Sequence, residues 1–148
     1  MNRLLEILSR ESEKRVELEK LPPECGEAVR VLEIKQGFIR ECREDNKPYC
    51  DVRVRECREK NKAAAYTMTA KFRPLRQEAE TKISKEIFSA LWPKAFSKQE
   101  KRRYMLEGGW VVDEMRGGRV VAEFEYGKGK TAAHMPTGFK AEKVLDKK

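Results

Sequence analysis

Glu123 and Glu125 stand two positions apart in RVVAEFEYGKGK, Arg119–Lys130. On a strand they share one face, opposite Val120, Ala122, Phe124 and Tyr126. Like charges one pleat apart repel, so such a pair needs a counter-ion. The spacing recurs along the chain. Glu11, Glu13 and Arg15 form one set, Arg53 and Arg55 a second, Arg76, Glu78 and Glu80 a third, and Lys101 and Arg103 a fourth. Lys71 and Asp113 stand singly on their strands. Any one pair reads as the solvated face of a half-exposed strand. Taken together they do not, because solvated faces mix neutral polar residues with both charges. Here some faces carry only bases and others mainly acids. Carboxylate oxygens are hard ligands for Mg²⁺ or Mn²⁺. Arginine forks match phosphate oxygens in pairs. Faces of both kinds turned inward would hold a metal-complexed polyphosphate.

Such side chains need strands to present them. EKRVELEKL alternates, with Val16 and Leu18 on one face. Val29–Ile39 reads as a long strand, followed by DVRVRECRE, AYTMTAKFR and RQEAETKI. The sequence predicts one helix, SKEIFSALW, capped by Ser84, with Ile87, Phe88 and Leu91 on one face and Pro93 ending it. KRRYMLE, WVVDEMR and RVVAEFEY follow, separated by turns at Gly108–Gly109 and Gly117–Gly118. About eight antiparallel strands can close into a barrel. An ordinary small barrel fills its interior with apolar side chains, and the charged faces oppose that here.

The totals bound the reading. A chain of 148 residues suits one domain. Charged residues make up 39% and the net charge is +8, which points to an anionic partner. Cys25, Cys42, Cys50 and Cys57 contain no CxxC pair, and His134 is remote and reads as incidental. Zinc is therefore not expected, and the cysteines read as reduced thiols of a cytoplasmic protein. No apolar run is long enough for a membrane helix, and the first residues do not read as a signal peptide. No Ser/His/Asp or Cys/His set suggests a covalent nucleophile.

At several points the residues resemble the CYTH superfamily, the triphosphate tunnel metalloenzymes. ESEKRVELEKLP resembles its ExExK strand and IKQGFI its Q-G-[YF] element. VRVRE, YTMTAKF and RQEAETKI resemble its RxR, T-x-K and R-x-E-x-E strands, in order. KRRY, WVVDEMRGGRVVAEFEY and MPTGFKAE complete the set, which runs from Glu11 to about Glu142. The resemblance implies a mainly β (α+β) fold: an eight-stranded antiparallel β-barrel tunnel with one or a few flanking helices. It makes residues 1–148 a single domain, with residues 1–10 as an N-terminal extension and 143–148 as a short basic tail. Carried over by position, Glu11, Glu13, Asp113, Glu123 and Glu125 would surround Mg²⁺ or Mn²⁺. Arg53, Arg55, Lys71 and Arg103 would hold phosphate oxygens, with Lys101 and Arg76 as further candidates. Glu78 and Glu80 match acids that help with metal or orient the bases. Arg15 occupies the place of the signature lysine and is the catalytic candidate. Arginine keeps the charge but does not give up its proton. Ser12 and Lys14 also depart from the family's apolar positions. A start at Glu6 is an alternative register for the first strand, without the second acid.

The expected function is metal-dependent hydrolysis of inorganic triphosphate or a small organic triphosphate by a monomer or homodimer. Adenylyl cyclase-like or RNA triphosphatase activity in the same tunnel is the first alternative. A non-catalytic polyphosphate or nucleotide-binding module is the second. An RNA-binding barrel is less favoured, because Phe38, Trp110, Phe124 and Tyr126 mostly oppose the charged faces.

Overall fold

Alternation is the first determinant of the fold. In the computed structural model, Val16 and Leu18 are buried, whereas Arg15 and Glu17 are only half-buried. The structure describes residues 13–125 and 135–144, and, of these, not the side chains of residues 13, 14, 125 and 142–144. The strands are β1 (Glu13–Leu18), β2 (Arg30–Glu44), β3 (Lys47–Glu59), β4 (Ala65–Phe72), β5 (Gln77–Lys82), β6 (Ser97–Met105), β7 (Trp110–Met115), β8 (Val120–Glu125) and β9 (Ala141–Val144). One α-helix, α1 (Lys85–Leu91), lies between β5 and β6. The strand order is β5-β4-β3-β2-β6-β7-β8-β1-β9. Among the described residues β5 and β9 remain the ends of that order, so hydrogen bonds do not close the sheet into a barrel. The eight expected strands are all present, and the short β9 is additional.

The described residues fall into two compact units, Glu33–Glu100 and the remainder. In the remainder, one face of β1, β7 and β8 is apolar, with Val16, Leu18, Trp110, Val112, Ala122 and Phe124 buried together. Cys25, from the 3₁₀ turn Pro23–Glu27, and Phe139 belong to the same cluster. Burial pushes the Cys25 thiol up to about 11, with Glu114 and Glu24 adding to the effect, which makes it inert. All four cysteines are free thiols. Both Gly-Gly turns form as expected. Gly109 has φ +98°, and a Cβ there would lie 2.8 Å from the Phe124 ring, so the turn between β6 and β7 accepts only glycine.

In the Glu33–Glu100 unit, Phe88 of α1 is buried between Tyr66 and Trp92, at ring distances of 5.3 and 5.5 Å. Gly37 of β2 lets this helical segment approach, since a Cβ would meet Ala95 at 2.9 Å. Ile87, expected on the packed face, is 46% exposed, because a seven-residue helix buries only Phe88. Ser84 caps the helix and accepts a hydrogen bond from the Ile87 N–H at 3.1 Å. Ser84→Ala is expected to lower stability by about 1 kcal/mol. Urea unfolding would show this as a lower midpoint at unchanged slope.

Two expectations change. β2 runs five residues past Ile39, and Asp45 and Asn46, at φ 52° and 64°, turn it directly into β3. Two left-handed residues fit a type I′ hairpin turn. Arg76, expected on β5, instead sits in the turn before it at φ 52°. Among the described residues no helix is long and apolar enough to cross a membrane.

Candidate functional site

The face of β6, β7, β8 and β1 opposite the apolar cluster carries the first set of charges. Ladder register aligns Arg103 with Asp113 and Asp113 with Val121. One step along, Val111 aligns with Glu123 and Glu123 with Arg15. Asp113 accepts hydrogen bonds from Arg103 Nε at 2.8 Å, Arg103 Nη2 at 2.9 Å and Lys101 Nζ at 3.0 Å. The side chains of Lys101 and Asp113 are each only 9% exposed. These are buried, paired charges, not a solvated face. Burial alone would raise the Asp113 carboxyl, but the hydrogen bonds from Arg103 and the charges of Lys101 and Arg103 outweigh it. They hold the carboxyl below its usual range. Arg15 Nε lies 3.6 Å from Glu123 Oε2. Arg103 and Glu123 line a cavity of about 340 Å³ with Met105, Leu106, Trp110 and Val111.

The Glu33–Glu100 unit carries a second set. On β3 and β4 the alternation places Asp51, Arg53 and Arg55 on one face with Thr67, Thr69 and Lys71. Gln36 of β2 accepts from Arg55 Nε at 3.2 Å and from its Nη2 at 2.7 Å. Thr69 donates to Glu80 at 3.2 Å. Lys71 stands opposite both Asp51 and Glu78 in the ladders. Glu78 and Glu80 lie on β5, every residue of which is exposed. Asp51 holds Arg53 and also Arg73.

No family model matches the chain, and no curated protein matches it. Solved structures do. The hypothetical protein NE1496, known from a crystal structure, is 23% identical; the alignment covers 90% of this chain and 88% of that one, with a TM-score of 0.59. The PH1819 protein from Pyrococcus horikoshii OT3 is 22% identical over 80% of each chain, with a TM-score of 0.53. What is shared is the fold.

The expected site residues therefore divide. Lys101, Arg103, Asp113, Glu123 and Arg15 share one strand face, and Arg53, Arg55 and Lys71 share another in the second unit. Arg76 joins neither face. Glu11 and His134 lie outside the described residues, as do the side chains of Glu13 and Glu125. Backbone register nevertheless sets Glu13 opposite Glu125, two positions from the Arg15–Glu123 pair. Among the described residues no three Asp, Glu, His or Cys side chains converge to hold a metal ion. Asp113, expected as a metal ligand, accepts three N–H hydrogen bonds from two bases. The described side chains alone do not fit a divalent cation; backbone register places positions 13 and 125 next to Glu123 on the ladder.

Sequence reasoning missed Asp51, Gln36, Arg73 and Phe38. Asp51 was visible at i−2 from Arg53, but a search for like charges passes over it. Phe38, read as core, lies under the Arg53 guanidinium, 4.6 Å from its carbon to the ring centre. Trp110 and Phe124 are core, as expected.

Proposed function

We propose that this chain is a divalent-metal-dependent phosphohydrolase of inorganic triphosphate or a small organic triphosphate. The observation that carries the reading is the strand face of Lys101, Arg103, Asp113, Glu123 and Arg15, in which Lys101 and Asp113 are buried. A sheet face that merely met solvent would not bury Lys101 and Asp113 to nine-tenths. Lys101 and Arg103 share Asp113, and Arg15 stands beside Glu123. Bases held in a row are suited to contact the oxygens of a polyanion. Asp113 fixes the planes of Arg103 and the reach of Lys101, so both bases are preorganised before ligand arrives. By the sequence resemblance, Arg53 and Arg55 on the separate face of the Glu33–Glu100 unit also read as phosphate ligands. A divalent ion, when bound, would neutralise phosphate charge and lower the pKa of water. Phosphoryl transfer asks for positioning and neutralisation more than covalent chemistry.

The test is phosphate release from inorganic triphosphate, with and without Mg²⁺ or Mn²⁺, from neutral to alkaline pH. Metal-dependent release is expected; none from folded protein would reject hydrolysis of this substrate. Arg15 favours one second reading, a binding module without turnover, because an arginine held beside Glu123 is no proton donor. That reading expects triphosphate binding with no release.

A further inference from the structure

Asp51 is an acid with more base than it can neutralise. Its side chain is wholly buried. Oδ1 accepts from Arg53 Nε at 3.0 Å and Nη2 at 2.8 Å, and Oδ2 accepts from Arg73 Nη1 at 2.6 Å. One carboxylate between two guanidiniums leaves a local charge of +1. Arg53 and Arg73 remain 18% and 35% exposed, so their outer edges reach water while their inner edges are pinned. Among the described residues, Arg53 Nη1 and Arg73 Nε and Nη2 have no protein acceptor. The Phe38 ring supports the Arg53 plane from one side. Lys71, opposite Asp51 in the ladder, adds a third base to the face.

A buried ion pair is weak evidence for a stabilising role, since hydrophobic replacement often serves stability as well. Arg53 reaches only Oδ1, and Arg73 is the partner of the buried Oδ2. The second arginine makes a pair of forks held at fixed separation, which suits a tetrahedral oxyanion with several acceptor oxygens.

We propose that Arg73 is an anion ligand paired with Arg53 on Asp51, and that the pair takes a phosphoryl group of a polyphosphate. Asp51 acts through the arginines and is a positioning residue. The inference rests on the polyphosphate-binding part of the reading above and not on hydrolysis.

The experiment is calorimetric titration of the full chain with inorganic triphosphate, with sulfate as the control anion and phosphate release measured in parallel. Arg73→Ala is expected to weaken triphosphate binding by about ten- to a hundredfold, the range for a lost charge-assisted contact. Arg73→Lys should recover part of it. Asp51→Asn should weaken binding too, and the double variant should be no worse than Arg73→Ala, because both act through one contact. Equal affinity in folded Arg73→Ala and wild type overturns the proposal, as does sulfate binding as tight as triphosphate. Binding that depends on Arg73 without phosphate release keeps the site and rejects the hydrolase. Release with an unchanged half-saturation constant in Arg73→Ala does the reverse.

Discussion

Asp113→Ala is expected to lower the unfolding free energy by about 3–5 kcal/mol, the scale for breaking a buried charge pair from one side. Alanine removes three hydrogen bonds at once and takes the Asp113 carboxylate away from the nine-tenths-buried Lys101 ammonium. Water cannot readily replace that partner at a site so enclosed. Urea unfolding measures the loss as a lower midpoint. A loss under about 1 kcal/mol would place the cluster in the class of exposed pairs. The pH dependence has a definite sign. The folded Asp113 carboxyl is depressed, so its contribution is complete above the ordinary carboxylate value of about 4. It is lost as pH falls toward the folded value. The wild type should therefore lose stability below about pH 4 more steeply than Asp113→Ala.

Glu123→Gln is expected to do the opposite. Glutamine keeps the shape and removes the charge. The Arg15–Glu123 pair is half-exposed and 3.6 Å apart, so losing it should change stability by no more than about 1 kcal/mol. If the cavity beside Arg103 is the reaction site, triphosphate hydrolysis should fall at least about a hundredfold, the scale for removing one preorganised electrostatic group. Unchanged release with intact folding would remove Glu123 from the chemistry. Together the two variants separate a residue that holds the bases from one that meets the substrate.

Strand parity was the most legible property. Val16, Leu18, Val112, Ala122 and Phe124 all fall on the face that alternation gave them, because a buried apolar face penalises any one-residue slip. The glycine turns were legible for a local reason, positive φ. The hairpin at Asp45–Asn46 was not read, because the strands leading into it are charged and carry no apolar period. Arg76 was placed on a strand because it continues the period, yet the turn takes it. The candidate site was legible only as lists of like charges. Which acid holds which base depends on register between strands: Asp113 meets Arg103 across a ladder, and Arg73 returns to Asp51 from 22 residues away. Neither spacing belongs to one strand's pattern.

β5 contributes nothing to an apolar core, since each of its residues is exposed, and it ends the strand order. Its outer backbone groups are a template on which another chain could extend the sheet. Glu78 and Glu80 guard that template. A second copy added in parallel register would bring glutamate against glutamate at both positions, so repulsion keeps the edge from propagating into fibres. The two glutamates that read in the sequence as acids supporting the metal or the bases thus have a second use, as like charges that oppose pairing at the sheet edge.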